Sequence, residues 1–436
     1  MKGFFTKEEL GRRRPGFSTA QCHRCRLWQH CHSPKMPVSG KGHRKILLVA
    51  EAPGEMEDDR GIQFCGKSGQ LLERKLAQLG IQMRRDCWLT NSIICRPPDN
   101  ETPTSEQLDW CRPNLIATIE EHCPRVIIAM GAPALESLIR DDWTAEFGGI
   151  GRWVGVTIPS RRWNAWICPV YHPAYLIRQE PDGGGALDSL FLRHLRRAID
   201  LAGEVPYPAG PPPVELLVEI ITDDQRAAKI LRQMIRKGGT VAFDYETNML
   251  KPDSEKAAIV SCSVCWEGRR TIAFPFVGEV IPAMIELLRS PLGKIASNMK
   301  FEDRWSRAVL RTPVRNWVWD TMLAAHWLDC RTGITSIKFQ AFVHLGIGTY
   351  DEHIKPYLQG EGGSGPNRIQ DVNLRSLLLY NGLDSLLEYQ VATLQRKAYD
   401  EPTPKGLPQK SSPTPHRRVH ASGRARRSRN ATDPQR

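Results

Sequence analysis

A chain of 436 residues, 41% hydrophobic and 25% charged, is globular in composition and long for a single core, so two domains are expected. It has no apolar run of membrane-spanning length, and its charged start, MKGFFTKEELGRRR, lacks the apolar stretch of a secretory signal; membrane and secreted classes are excluded and the cytoplasm is expected. Twelve cysteines then read as reduced thiols, some of them metal ligands, and a formal net charge of +12 suggests a polyanionic partner.

In chain order, the first motif is Cys22-x2-Cys25. KILLVA follows as a buried strand and opens directly into EAPGEMED, Glu51 to Asp58. Pro53 and Gly54 end the strand, which puts the acids in a loop at the carboxyl edge of a parallel sheet, where α/β folds bind ligands. No Gly-Lys-Ser/Thr follows, so this is not a phosphate-gripping loop. GIQFCGKSGQLLERKLAQLGI leads from Phe64 into an amphipathic helix; CWLTNSII brings Asn91 to the end of a second strand; RVIIAMG is a third; WICPVYHP is a fourth, ending at His172. Cys95 and Cys111 lie on either side of the RPPDNETPTSEQ loop, and with Cys22 and Cys25 they make a four-thiolate site, Cys31 being close enough to compete.

EAPGEMED, FCGKSGQLL, TNSIICRPP and HPAYL, in that order, resemble the family 4, iron-sulfur uracil-DNA glycosylases over roughly Cys22 to Asp200. The resemblance implies an α/β/α domain with a parallel sheet and hydrolysis of the N-glycosidic bond of uracil flipped from DNA. Phe64 would stack on the base, Asn91 would read its Watson-Crick edge, and His172 would donate to a uracil oxygen as negative charge develops there. Where some uracil glycosylases carry aspartate after the first motif residue, Ala52 stands here, which leaves Glu51 or Glu57 to activate water. The four cysteines would hold a 4Fe-4S cluster; zinc is the spacing-compatible alternative.

GEVPYPAGPPPVE, Gly203 to Glu215, reads as a semi-rigid extended linker, dividing the chain into domains at 1–202 and 216–398. Beyond it TVAFDYET, AIVSCSVCW, TIAFPF and KIASN read as strands. Asp244 and Glu246, two apart on a strand, share one face, and such neighbouring like charges need a cation. Asn298 and Glu302 in SNMKFEDRW are spaced to share a helical face, as are Tyr380 and Asp384 in LLLYNGLDSLLEYQ. Cys262 and Cys265 alternate on a strand and read as core.

From roughly Val214 to Lys397 these motifs resemble the DEDD superfamily of 3′ to 5′ exonucleases, specifically the proofreading domain of family A DNA polymerases, with the helix after the second motif in DTMLAAHWLD. The resemblance implies a ribonuclease H-like mixed sheet. Asp244, Glu246, Glu302 and Asp384 would hold two Mg2+ or Mn2+ ions, and Tyr380 would orient the attacking water. The family usually carries aspartate in the second motif, so Glu302 or the adjacent Asp303 fills that place.

From Glu401 to Arg436 nine Lys or Arg against two acids put 9 − 2 = +7 of the charge in a tail, 399–436, expected to be disordered. No strand with the paired aspartates of a polymerase palm follows Lys397, so the expectation is a polymerase-less or split form of a phage-type DNA polymerase. It would act in DNA repair and replication on single-stranded or frayed DNA, with a separate polymerase subunit as a possible partner. The rival expectations are an exonuclease with a catalytically silent uracil- or DNA-binding module, and a non-enzymatic replication scaffold.

Overall fold

The computed structural model describes residues 21–268, 270–360 and 365–400. The charged N-terminal start and the basic tail from Glu401 lie outside them. Each half is built on its own sheet. The first has the order β2-β1-β3-β5-β4, with β1 Ile46–Ala50, β2 Cys87–Asn91, β3 Val126–Met130, β4 Ile158–Ser160 and β5 Ala165–Val170. β1, β2, β3 and β5 are parallel and buried on both faces, which is why they read as continuous apolar runs. β4 adds an antiparallel edge to the expected parallel sheet. It was not expected, because three residues, Ile-Pro-Ser, are too few to show a period.

The second sheet has the order β11-β10-β7-β8-β9-β6 and is mixed: β7, β8 and β9 form an antiparallel meander, while β10, β11 and β6 join in parallel. β7 is Thr240–Thr247, β8 Ile259–Trp266, β9 Arg270–Pro275 and β10 Gly293–Ala296. The edge strands β6 (Val218–Ile220) and β11 (Trp317–Asp320) were not anticipated. Cys262 and Cys265 on β8 enter opposite layers of core, as their spacing implied.

Helices cover both faces of each sheet. Those used below are α1 Cys22–Cys25, α2 Glu55–Arg60, α3 Lys67–Gln78, α4 Ser105–His122, α5 Pro173–Gln179, α6 Met299–Val309, α7 Thr321–Leu328, α8 Ile337–Leu345 and α9 Leu374–Asp400. None of the described helices is long and apolar enough to cross a membrane. The proline-rich stretch between the halves is anchored: the Tyr207 hydroxyl lies 3.1 Å from the Pro159 carbonyl on β4 and 2.7 Å from the Leu345 carbonyl on α8.

Candidate active sites

Parallel order puts the carboxyl ends of β1, β2 and β5 on one edge, with Ala50 opposite Asn91. Glu51, Asn91 and His172 follow or end these strands and, with Phe64 and Glu57, line one pocket of about 390 Å³. Five residues from four stretches of sequence thus meet in a volume suited to a nucleobase.

Their roles separate by what each polar atom already holds. His172 precedes α5, whose Pro173 suits a first helical position. The backbone N–H of Ala174 donates to His172 Nδ1 at 3.2 Å. A nitrogen that accepts carries no proton, so the neutral ring bears its hydrogen on Nε2. Burial, reinforced by the charge of Arg178, pushes the imidazole pKa down to about 4, so this neutral donor persists at physiological pH.

Glu57 is committed elsewhere. Its Oε2 accepts from Gly54 N at 3.1 Å and its Oε1 from Gly66 N at 2.9 Å. It therefore clamps the EAPGE turn to the start of α3 and holds the Phe64 loop between them. Glu51 sits at the tip of β1, its backbone carbonyl taking Ser92 Oγ and Ile93 N while its carboxyl faces the pocket. Burial raises that carboxyl above the ordinary range and Arg178 partly opposes the rise.

Phe64 adopts a left-handed backbone, φ 56°, a conformation sparsely used by bulky residues. Gly69 packs directly under it: a Cβ at 69 would lie 2.6 Å from Phe64 Cα and closer still to its carbonyl. The chain thus spends strain to hold one aromatic ring at the pocket wall.

Cys22, Cys25, Cys95 and Cys111 line a second, small pocket with Trp28, Ile93, Ile94 and Trp110. Burial raises the Cys25 thiol and takes Cys111 to about 11, so as thiolates they need a cation beside them. Lys35 N donates to Cys95 Sγ at 3.3 Å and Asn114 Nδ2 to Cys111 Sγ at 3.5 Å. Cys31 Sγ lies 3.2 and 3.5 Å from the Leu27 and Arg96 carbonyls and hydrogen-bonds with the Cys95 thiol, so it stands beside the four although it does not line this pocket. Among the described residues the one group of three or more donors all within 4.8 Å of each other is Asp244, Glu246 and Asp384, so the four sulfurs are spread more widely than that.

Those three carboxylates form the core of the second site. Asp244 and Glu246 alternate on β7; Tyr380 and Asp384 are one turn apart on α9, and all but Asp244 are buried. Asn381 Nδ2 donates to Asp244 Oδ2 at 2.7 Å. Lys338 on α8 reaches Tyr380 Oη at 3.1 Å and Asp384 Oδ2 at 3.0 Å, and the Tyr350 hydroxyl donates to Asp384 Oδ1. Burial, then mutual repulsion, drives Asp244 and Glu246 well above the carboxylate range.

Glu302 is 2% exposed on α6 and feels the charge of Asp244; among the described residues its Oε2 has no hydrogen-bond partner. Asp303 turns away, accepting from Arg307 Nε at 2.6 Å and Val314 N at 3.1 Å. The expected shared helical face of Asn298 and Glu302 is corrected: Asn298 is the left-handed residue before α6, φ 69°, where Asp320 takes its N–H at 3.1 Å and that of Met299 at 3.0 Å. Lys338, Tyr350 and Glu388 were missed. Glu388 continues the stripe of Tyr380 and Asp384 by one more turn, and that spacing was its available signal.

A family model described as the Uracil DNA glycosylase superfamily matches residues 37–196. A Type-4 uracil-DNA glycosylase of Pyrobaculum aerophilum is 38% identical over 168 residues, 36% of this chain and 80% of that protein. A DNA polymerase of Bacillus phage SP01 is 26% identical over 373 residues, covering 76% of this chain and 38% of the polymerase. Among solved structures, Escherichia coli RNase D, an exoribonuclease involved in structured RNA processing, aligns over 42% of this chain and 46% of its own at 12% identity and a TM-score of 0.33.

Proposed function

The chain belongs, through its first half, to the type-4 uracil-DNA glycosylase family, and from that premise we propose that it excises uracil from DNA and digests DNA from the 3′ end at a second, metal-dependent site. The observation that carries the first activity is the His172 tautomer, a neutral donor fixed by Ala174 N at the mouth of a base-sized pocket.

Uracil swings out of the strand into this pocket, where Phe64 stacks on it and the Asn91 amide pairs with its edge, accepting from N3–H and donating to a carbonyl oxygen. As the glycosidic bond breaks, electrons move onto the base, and His172 Nε2–H donates to the uracil oxygen where the charge gathers. A neutral donor gives that hydrogen bond without surrendering its proton. Glu51, its carboxylate unclaimed by the backbone, orients the water that attacks the sugar carbon and offsets the positive charge there. Glu57 holds the loop geometry.

The cysteine pocket supplies four thiol ligands, and the family membership of the chain favours an iron-sulfur cluster over zinc. Cys22, Cys25, Cys95 and Cys111 meet in one pocket lined otherwise by Trp28, Ile93, Ile94 and Trp110, an apolar setting that suits a thiolate-held group. Cys22, Cys25, Cys95 and Cys111 would hold a 4Fe-4S cluster, which when bound cross-links α1 to α4 and to the loop after β2. Unbridged thiols of this kind suit a reducing cytoplasm.

In the second half Asp244, Glu246, Asp384 and Glu302 would hold two divalent ions, Mg2+ or Mn2+. When bound, the ions supply an activated water and charge neutralisation for in-line displacement at phosphorus. Tyr380 fixes the water's direction, and Lys338 holds Tyr380 and Asp384 in place. The common substrate of both sites is a single strand or frayed end of DNA.

The test is one 5′-labelled single-stranded oligonucleotide with a single internal uracil, assayed in chelator with alkali and separately in magnesium. His172→Ala should abolish the alkali-dependent break and leave the 3′ ladder intact; Asp244→Ala should do the reverse. Loss of both activities in either folded variant would refute two independent sites.

A further inference from the structure

The segment that follows α8 is pinned to the first half. Gly348 approaches it so closely that a Cβ added there would lie 2.5 Å from the Asp142 carbonyl oxygen. Thr349 is held at three points. Its backbone N–H donates to that same carbonyl at 2.8 Å, its hydroxyl oxygen accepts from Thr144 N at 3.2 Å, and the two threonine hydroxyls meet at 2.6 Å. Asp142 and Thr144 flank Trp143, which is buried against Trp153, Phe339 and Phe342, so the anchor is itself packed in place.

The next residue, Tyr350, reaches the second site. Its hydroxyl donates to Asp384 Oδ1, while Lys338 Nζ donates to Oδ2 at 3.0 Å. Its ring lies 5.9 Å from that of Tyr380, and the Lys338 ammonium stands 5.6 Å from the Tyr350 ring centre and 5.0 Å from that of Tyr380. Asp384 is thus gripped through both oxygens. The donor atoms of Asp244, Glu246 and Asp384 lie within 4.8 Å of one another, and carboxylates so close repel. Lys338 supplies the charge that opposes this repulsion, and the Tyr350 hydroxyl supplies direction, fixing how the Asp384 carboxylate is turned. Resting on the nuclease reading above, we propose that Tyr350 is a positioning residue of the nuclease centre, aiming Asp384 at the divalent ions, and that the first half sets its place through Asp142, Thr144 and Thr349. Each step of the route is a direct contact: from Asp142 and Thr144 to Thr349, along one peptide to Tyr350, and from its hydroxyl to Asp384.

The test uses the full-length chain, stripped with chelator and titrated with Mn2+, free ion being read by electron paramagnetic resonance and uracil release followed alongside. Tyr350→Phe removes the hydroxyl and keeps the ring. It should bind Mn2+ roughly ten- to a hundred-fold more weakly, the scale on which lost partners of metal ligands act. Thr349→Val removes both hydroxyl contacts to Thr144 at nearly constant volume. It should weaken Mn2+ binding less, and should add nothing when combined with Tyr350→Phe, because both act through one hydroxyl. Uracil release should stay at the wild-type rate in all three variants, and a matching loss there would overturn the proposal by showing general damage. Wild-type Mn2+ affinity in Tyr350→Phe would overturn it, as would a Thr349→Val that binds Mn2+ like the wild type or whose loss multiplies in full with that of Tyr350→Phe. A lower melting temperature in chelator with unchanged Mn2+ affinity would overturn it in favour of a purely structural tie. Each of these outcomes leaves the nuclease reading standing, whereas a wild-type chain that takes up no Mn2+ would sink that reading and this inference together.

Discussion

Gly69→Ala should cripple uracil excision without touching the pocket's polar groups. Gly69 lies in the first turn of α3, where alanine would ordinarily be favoured over glycine by about 1 kcal/mol. Here the added Cβ would stand 2.6 Å from Phe64 Cα, against an ordinary contact of 3.4 Å or more, so the Phe64 backbone must retreat by at least 3.4 − 2.6 = 0.8 Å. Phe64 cannot absorb this by a small dihedral change, because it is already left-handed and Glu57 pins Gly66 just beyond it. A displacement of about 1 Å at a positioning group costs roughly 100-fold in rate, or about 2.7 kcal/mol of barrier. The assay is single-turnover release of uracil in chelator, with magnesium-dependent digestion as the internal control. Gly149→Ala, where an added Cβ meets nothing within 4 Å, is the matched control and should behave as wild type. Wild-type release by Gly69→Ala, or an equal loss in both activities, would refute the account of how the Phe64 ring is held.

Uracil release should show no inflection at the ordinary histidine value near 6.5, because His172 is already neutral there and is protonated only near pH 4. Its acid limb should belong to Glu51: the raised carboxyl loses its charge, and with it water activation, above the usual carboxylate range as pH falls. A pH–rate profile of single-turnover release checks both, and a step near 6.5 would mean that an imidazolium acts instead. In the proposed nuclease site, Glu302→Gln should lower the digestion rate by roughly 10- to 100-fold, whereas Asp303→Asn, at a group already bound to Arg307 and Val314 N, should stay within about two-fold in the same gel assay.

What the sequence disclosed was set by how local the cause is. β1, β3 and β7 announce themselves because every residue of a doubly covered strand must be apolar or serve a site, and the stripe of Tyr380 and Asp384 is legible from helical spacing alone. β4, β6 and β11 are edge segments of three or four residues, held by neighbours distant in sequence, and carry no periodic signal. That Glu57, and not Glu51, is bound by two backbone N–H groups was illegible for a related reason. It depends on where Gly54 N and Gly66 N lie in space, which no spacing encodes. That Asp303 is engaged by Arg307 and Val314 N was hidden likewise, because only the folded helix and the chain after it bring those partners near. Glu388 is the converse case: its spacing was in plain view, but it falls outside the motif that drew the eye.

The two halves are less separable than a proline-rich junction suggests, and α8 is the reason. Phe339 and Phe342 of α8 enter the core of the first half, where Trp143 and Trp153 meet them at ring distances of 5.0 to 6.0 Å and Arg152 lies over three of the rings. Burying two such phenylalanines contributes about 2 kcal/mol each, a large share of the 5–15 kcal/mol that typically stabilises a domain. The end of the helix is fixed as well. Gly346 caps it in left-handed geometry, and a Cβ added there would overlap the Pro159 carbonyl on β4. Lys338 is carried by the same rigid element, beside Phe339 in sequence, and its ammonium is the cation that holds Tyr380 and Asp384. Burial alone would weaken that charge, but Asp384, Asp244 and Glu246 more than offset it and keep Lys338 protonated. The lysine of the proposed nuclease site is thus carried by a helix that also supplies Phe339 and Phe342 to the core of the first half, so the packing of that core also sets where Lys338 stands.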